Sequence, residues 1–305
     1  MVNSFARTVS SPTRNLPSST PSADKMKRPH PIKWFRRQSK KVRYSLLALT
    51  VLCGWGVTLF GEYSAKQLQC NTITLPPDTL PGAGALRIAF FSDVHNNPEI
   101  FEQAVSAIIK ARPDLIIFGG DMVTAEHRFR RTRWAVEGFR RLADTAPCYA
   151  ILGNHDYEKL EQVERVFSTA GVRLLRNDSL DWKTPSGTML RIVGLGDYNE
   201  GDEAPARCMK VQNEESAPVL LLSHDPESRW LLQQFDWDFM LSGHTHGGQI
   251  GNPFTGKAIS FRSSMPAGLF EFEGHRRVFV TRGVGAIYDM RFFCPPEVSI
   301  IEQKS

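Results

Sequence analysis

The residues that follow five short apolar segments constrain this 305-residue chain more than any other feature. Each segment is too short for a helix and is predicted to be a buried β-strand. The five segments are 86–91, 115–118, 148–152, 219–222 and 239–241. Each is followed directly by Asp, Asn or His residues within a Gly- or Ser-containing turn. Five strands of one domain therefore end in side chains that can bind a metal ion.

These side chains are expected to meet at one place. In chain order they are Asp93, His95, Asp121, Asn154, His155, Asp156, His224, His244 and His246. The carboxyl ends of the strands of an open α/β sheet are where sites form. Carboxylate, amide and imidazole groups suit hard or borderline divalent ions, and Asp121 can bridge two ions held about 3.5–4 Å apart. The pattern predicts a two-metal site at one sheet edge.

Helical segments alternate with the predicted strands. Asn97 is placed to cap a helix that has Pro98 at its first position, and further helices are predicted over 134–143 and 158–170. Further strands are predicted over 189–195, 278–281 and 298–301, the last two as candidates to complete a second sheet. The alternation predicts an α/β fold whose strands are covered on both faces.

The positive charge of the chain is confined to its N-terminal tail. Residues 1–43 contain 11 Lys or Arg residues and one acidic residue, whereas the remainder contains 26 basic and 31 acidic residues. This tail is predicted to be largely disordered, and Met26 is an alternative start. The slightly acidic remainder argues against a broad nucleic-acid-binding face.

An uncharged segment over 44–61 follows this tail. Its 18 residues would rise about 27 Å as a helix, close to the hydrocarbon thickness of about 30 Å, and this predicts a single transmembrane helix. Nine Lys or Arg residues between Lys25 and Arg43 favour a cytoplasmic N-terminus, with the body outside a bacterial inner membrane. A cytoplasmic-facing domain and a cleaved signal peptide remain alternatives. Residues 62–85 are predicted as a linker and 86–305 as the catalytic domain.

The motifs D-x-H, G-G-D, G-N-H-D, S-H and G-H-T-H together resemble the calcineurin-like metallophosphoesterase superfamily, from about residue 86 to the C-terminus. Segments 247–250 and 291–297 are similar to its membrane-anchored or exported bacterial phosphodiesterase branch. The resemblance implies a four-layer α/β/β/α sandwich around two metal ions. It also implies attack by a metal-bound hydroxide on a phosphodiester or pyrophosphate.

The resemblance also implies roles for individual residues. Asp93, His95 and His246 would bind the first metal, Asp121 would bridge, and Asn154, His224 and His244 would complete the second. His155 would be an acid near the leaving group or a stabiliser of transition-state charge. Asp156 would either orient His155 or only cap the following helix. Mixed N and O ligands suit Mn, Fe, Zn or Ni, with Mn favoured.

One departure from the family bears on the substrate. Protein phosphatases of the superfamily carry an Asp-Arg pair where this chain has Thr124 and Ala125. The absence of this pair favours diesters or pyrophosphates over monoester dianions as substrates. Arg282 and Arg291 are candidates to bind the substrate phosphate instead, or they form surface ion pairs. The branch points to UDP-2,3-diacylglucosamine of the lipid A pathway. A body outside the membrane favours a cell-envelope phosphodiester instead, because UDP-lipids are made on the cytoplasmic face. The rival hypothesis is a catalytically inactive, membrane-anchored scaffold of the same fold.

Overall fold

The computed structural model describes residues 31–77, 79–124, 132–210, 217–260, 263–286 and 288–304. Residues 1–30 of the tail 1–43, which was predicted to be largely disordered, lie outside the described residues, as does Ala125. Residues 31–37 and 40–43 of that tail are helical. Within these ranges the α-helices are α1 Pro31–Arg37, α2 Lys40–Ala65, α3 Pro98–Ala111, α4 Arg133–Ala143 and α5 Leu160–Ala170. Short 3-10 helices cover Asn154–Lys159, Pro205–Arg207, Pro226–Leu231 and His246–Gln249.

Fourteen strands lie in the described residues. They are β1 Gln69–Thr74, β2 Leu86–Phe91, β3 Leu115–Phe118, β4 Cys148–Ala150, β5 Arg173–Leu174, β6 Asp178–Lys183, β7 Met189–Gly194, β8 Val219–Leu222, β9 Phe239–Ser242, β10 Ile250–Gly251, β11 Ala258–Ile259, β12 Gly268–Glu271, β13 Arg277–Val280 and β14 Glu297–Gln303. One six-stranded sheet has the order β1-β14-β2-β3-β4-β5, and the other has the order β12-β13-β9-β8-β7-β6. β10 and β11 form a separate hairpin.

The two large sheets pack face to face over a shared apolar core. Phe90 and Ile117 from the first sheet meet Leu220 and Phe239 from the second in this core. The other face of the first sheet is covered by α3, α4 and α5, and the other face of the second by turns and loops around Trp237. This layered arrangement confirms the predicted α/β class, and the described residues of the fourth layer form turns and 3-10 helix rather than α-helix.

The parallel order of β2, β3 and β4 brings their carboxyl ends to one edge of the first sheet. The parallel order of β8 and β9 does the same in the second sheet. The helix after β2 starts as predicted, because Oδ1 of Asn97 accepts a hydrogen bond of 3.2 Å from the N–H of Ile100 and Pro98 occupies the first position. Segment 92–97 is therefore held between a strand and a capped helix.

Two predicted assignments are corrected. Part of the segment predicted as a linker forms β1, which pairs in parallel with β14 at the sheet edge. Its sequence, QCNTIT, is mostly polar and partly exposed, so it lacks the apolar run that revealed the other strands. The last strand, β14, joins the first sheet between β1 and β2, rather than completing the second. Its apolar run predicts a buried strand, but such a run carries no information about which sheet it joins.

The apolar helix α2 extends beyond the predicted 44–61 at both ends. Its 26 residues rise about 39 Å, with a mean hydropathy of 1.6 over the most apolar 18-residue window. By length and composition it is able to cross a membrane. Residues Gly54–Ser305, which include the last three turns of α2, form one compact unit. The described part of the other unit, Met1–Cys53, consists of α1 and the first half of α2.

Candidate metal centre

The seven predicted metal ligands converge where the carboxyl edges of the two sheets meet. Asp93 and His95 follow β2, Asp121 follows β3 and Asn154 lies beyond β4, whereas His224 follows β8, and His244 and His246 follow β9. Six of them form two groups of three, and within each group the potential ligand atoms all lie within 4.8 Å of one another. The groups are Asp93–His95–His246 and Asp121–His224–His244. Both sheets therefore contribute side chains to one centre.

The first group is compact and buried. Oδ1 of Asp93 lies 3.4 Å from Nε2 of His246 and 3.7 Å from Nε2 of His95. The two Nε2 atoms of His95 and His246 are 2.9 Å apart. Three potential ligand atoms thus face one small volume.

The Asp121 carboxylate faces both groups. Its Oδ2 lies 3.2 Å from Nε2 of His224 in the second group and 3.7 Å from Nε2 of His95 in the first. Asn154 joins the second group, because its Oδ1 is 3.0 Å from Nδ1 of His244. This is the arrangement expected of a carboxylate that bridges two ions.

The histidine orientations fit a metal centre. Nδ1 of His224 donates a 2.7 Å hydrogen bond to the carbonyl oxygen of Gly119, which leaves Nε2 directed at Asp121. Nδ1 of His95 donates to the carbonyl oxygen of Val123 at 3.2 Å. Nε2 of His224 is buried and has no hydrogen-bond partner among the described residues. A bound cation would satisfy this atom, so the residues present fit divalent ions.

The electrostatics of the centre favour cations. Burial disfavours a charged His224, yet the neighbouring Asp121 and Asp93 carboxylates raise its pKa well above the ordinary value. Burial also disfavours an ionised Asp121, but the charge of His224 outweighs it and lowers the Asp121 pKa to about 2. Burial lowers the pKa of His246 to about 3, which keeps its imidazole neutral as a metal ligand requires. The buried Asp121 carboxylate therefore remains ionised at neutral pH and is stabilised by positive charge nearby.

Five of the seven candidate ligands have a left-handed backbone. Their φ angles lie between 49° and 66°, and the residues are Asp93, His95, Asp121, His244 and His246. Such conformations cost about 1–3 kcal/mol each outside Gly and persist where the surrounding structure imposes them, commonly at functional sites. Glycine supplies the room beside them, since a Cβ on Gly153 would lie 2.3 Å from Oδ1 of Asp121.

Asp156 is a positioning residue, and the hypothesis that it orients His155 is corrected. Its buried carboxylate accepts backbone N–H groups from Asp121, Met122, Val123 and Gly153 at 2.8–3.2 Å. The hydrogen bond from the N–H of Gly153 caps the 3-10 helix that begins at Asn154, which is the other role considered for Asp156. Burial and the charge of Asp121 raise the pKa of Asp156 to about 7. Nδ1 of His155 lies instead 3.7 Å from Oε1 of Glu158.

Neither arginine suggested as a substitute clamp faces the centre. Arg282 forms a 2.6 Å ion pair with Glu297. Arg291 is fully buried and donates to the backbone carbonyl groups of five residues: His246, Arg282, Gly283, Gly285 and Cys294. Gly283 and Gly285 pack on Asp93, so Arg291 ties the loops that hold both Asp93 and His246. Sequence reasoning missed this role, for which the only signal was a charged residue directly before the apolar segment 292–294.

An open cleft of about 560 Å³ leads to the centre. Its lining includes Asp121, Asn154, His155, His244 and His246 on the metal side. Asp225 and Glu227 add negative charge, and Ile250, Ile259 and Tyr288 provide an apolar wall. Among the described residues that line the cleft, none is Lys or Arg.

Two six-stranded sheets with a His- and Asp-rich centre between their edges define a metallophosphoesterase. Residues 86–248 match the family described as calcineurin-like phosphoesterase, and the chain belongs to this family. The protein is a metal-dependent phosphoric ester hydrolase. It is 33% identical to the phosphodiesterase YaeI of Escherichia coli (strain K12), over 72% of this chain and 83% of that protein.

Two further relatives cover most of the chain. The metallophosphoesterase YkuE of Bacillus subtilis (strain 168) is 25% identical over 90% of this chain and 99% of its own length. The UDP-2,3-diacylglucosamine pyrophosphatase LpxG of Chlamydia trachomatis is 30% identical over 71% of this chain and 83% of its own length. The family and the phosphohydrolase class predicted from the motifs are thereby confirmed.

Proposed function

We propose that the protein is a membrane-anchored, two-metal phosphodiesterase or pyrophosphatase. The observation that carries this proposal is the position of Asp121, whose Oδ2 lies 3.7 Å from Nε2 of His95 and 3.2 Å from Nε2 of His224. One carboxylate oxygen facing ligands from two groups is suited to bridging two ions.

Seven residues would hold the ions. Asp93, His95, His246 and Asp121 would bind one of them. Asp121, Asn154, His224 and His244 would bind the other. When bound, divalent ions stabilise the phosphoryl oxygens as Lewis acids and supply a nucleophile from water at neutral pH. Mn is favoured, and Fe, Zn or Ni suit the same N and O donors.

His155 is proposed as the acid that protonates the leaving oxygen. Its backbone N–H donates a 2.9 Å hydrogen bond to Oδ1 of Asp121, which fixes its place beside the bridging carboxylate. Its ring centroid is 5.4 Å from that of His95, and the side chain lines the cleft. The imidazole is outside both ligand groups and is half-buried, so a substrate in the cleft would reach it.

The charge of the cleft favours a diester or a pyrophosphate. A monoester dianion needs a cationic clamp, and the described cleft lining contains acidic residues but neither Lys nor Arg. Thr124, at the position where protein phosphatases carry the Asp of the pair, contacts Nδ1 of His95 through its hydroxyl. It therefore orients a proposed metal ligand.

The substrate is proposed to be a phosphodiester or pyrophosphate of the membrane or cell envelope. Helix α2 is long and apolar enough to anchor the enzyme in a bacterial inner membrane. The relative LpxG is named for a lipid-linked pyrophosphate, UDP-2,3-diacylglucosamine. The basic residues before α2 favour a cytoplasmic N-terminus, which places the catalytic domain outside and favours an envelope phosphodiester.

The test is hydrolysis of bis(4-nitrophenyl) phosphate by the detergent-purified full chain with added Mn²⁺. We expect activity in the wild type and near-complete loss in Asp121→Asn, with loss of bound metal, because an amide does not neutralise two ions. The matched control is Asp181→Asn, whose carboxylate is half-exposed and lies outside the centre. Normal rates and metal content in Asp121→Asn would overturn the two-metal assignment.

A further inference from the structure

Exposed apolar side chains border the mouth of the metal cleft. We name them the cleft-mouth patch, which consists of Ile250, Phe254, Ile259, Tyr288, Met290 and Phe293. Ile250, Ile259 and Tyr288 line the cleft itself. Phe254 is 94% exposed and Tyr288 is 71% exposed. Large apolar side chains with this exposure, grouped beside a site, mark a surface that contacts a partner or a membrane.

The most exposed member sits at the tip of a formed hairpin. β10 and β11 pair through Ile250 and Ile259. Oδ1 of Asn252 accepts the N–H groups of Phe254 and Thr255 at 2.9 and 3.0 Å. The turn is therefore held by hydrogen bonds while its phenyl ring projects from the surface. Lys257 is exposed on the same turn and adds a positive charge to the hairpin.

The patch is continuous with the end of the apolar helix. Within the unit Gly54–Ser305, the ring of Phe60 lies 5.2 Å from that of Phe293. The N–H of Arg291 donates a 3.0 Å hydrogen bond to the carbonyl oxygen of Gly61. A Cβ on Gly61 would lie 2.7 Å from the ring of Phe292, so glycine permits this close approach. The hairpin joins the same loop, because Ile250 forms a bridge with Phe292.

The end of the helix also lies beside the metal centre. Glu62, Ala65 and Lys66 line a cavity of about 380 Å³ together with the metal ligand His95. Glu62 is the first charged residue after the uncharged segment, so it marks where the helix leaves a hydrocarbon layer. The cleft-mouth patch is thus held at the level where a membrane surface begins.

We infer that the cleft-mouth patch is a second membrane contact, which rests on the lipid surface that α2 enters and opens the metal cleft onto that surface. Exposed aromatic rings are enriched at the interface between lipid headgroups and acyl chains, and basic residues on the same surface favour anionic lipids. The partner is the bilayer itself, because the patch continues directly from the residues at the end of the membrane helix. This inference rests on the membrane anchoring in the proposed function and goes beyond its chemistry.

Photocrosslinking in vesicles tests this contact. Full-length variants with p-benzoylphenylalanine in place of Phe254, Met189 or Leu52 are reconstituted in vesicles of radiolabelled phosphatidylcholine and phosphatidylglycerol, and then irradiated. Leu52 lies in α2 and reports anchoring. Met189 is 43% exposed and starts β7, at the strand end opposite to the metal edge, and is the matched control. We expect lipid adducts at positions 52 and 254 and several-fold fewer at position 189.

Each outcome decides the inference. Adducts at position 254 no greater than those at position 189, while position 52 labels lipid, would overturn it. A crosslink from position 254 to a second copy of the chain would likewise overturn it, because the patch would then be a protein–protein interface. Hydrolysis of bis(4-nitrophenyl) phosphate is measured in the same vesicles. A failure of the proposed chemistry is therefore seen separately from a failure of lipid contact.

Discussion

Oδ2 of Asp156 accepts a 2.8 Å hydrogen bond from the backbone N–H of Asp121. The two residues are 35 positions apart, and a fully buried carboxylate thereby supports the loop whose own carboxylate faces both ligand groups. Oδ1 of Asp156 accepts the next two N–H groups of that loop, from Met122 and Val123. The position of the Asp121 carboxylate, the proposed bridge, thus depends on a residue that does not face the cleft.

We expect Asp156→Asn to destabilise the metal centre. Both carboxylate oxygens of Asp156 accept backbone N–H groups. The Asn side chain has only one acceptor oxygen, and its NH₂ group would face backbone N–H groups that are also donors. Each buried N–H left unpaired costs about 1–3 kcal/mol. The measurements are the thermal midpoint in detergent and the bound metal per chain, and both should fall. Asp144→Asn, at an exposed helix end, is the control and should change neither value. Unchanged metal content in Asp156→Asn would contradict the positioning role.

We expect Gly153→Ala to lower activity without a change in charge. The φ of Gly153 is −103°, so alanine is compatible with the backbone, but its Cβ would lie 2.3 Å from Oδ1 of Asp121. The Asp121 carboxylate, which is proposed to bridge the ions, must move, and overpacking of this kind lowers stability by about 1–3 kcal/mol. Steady-state hydrolysis of bis(4-nitrophenyl) phosphate should fall by about 10²-fold, since a misplacement of about 1 Å at a catalytic centre costs a factor of this order. Gly56→Ala, where a Cβ would meet nothing within 4 Å, is the matched control. Equal rates in the two variants would show that Asp121 tolerates displacement.

We expect His155→Ala to retain its metals and to lose activity according to the leaving group. General acid catalysis is worth about 10²–10⁴-fold where the departing oxygen is a poor leaving group, and much less for nitrophenoxide. The measurement is a series of alkyl and aryl phosphodiesters for wild type and variant, with metal content determined in parallel. An equal loss across the series would leave only electrostatic stabilisation as its role. Loss of an ion would make His155 a ligand.

We expect Arg291→Met to destabilise the domain. Five backbone carbonyl groups lose their shared buried donor, and removal of one partner from such a network costs about 3 kcal/mol or more. For a domain of this size, the thermal midpoint should fall by about 6 °C or more. Arg133→Met, whose guanidinium is 89% exposed, is the control and should leave the midpoint unchanged. A loss of substrate affinity in Arg291→Met with an unchanged midpoint would restore the substrate-clamp hypothesis.

The sequence was sufficient to predict the α/β class and the chemical nature of the site. It was also sufficient to predict which segments form the inner strands. Buried strands such as β2 and β3 are continuous apolar runs, and the residue after each run needs no tertiary information to be identified. The rule that ligands gather at the carboxyl ends of parallel strands then brings Asp93 and Asp121 together. The uncharged segment 44–61 likewise predicted an apolar helix from local composition alone.

Only the tertiary structure decided which groups support the site and what surrounds its mouth. β1 is a polar edge strand whose partner β14 is more than 200 residues away, and its pattern carries no sign of that pairing. Asp156 and Arg291 act on loops that are distant in sequence, so their hydrogen bonds exist only after the sheets have packed. Phe60 and Phe293 meet for the same reason. Local patterns encode which residues are buried in each element, whereas the contacts between elements depend on the whole folded chain.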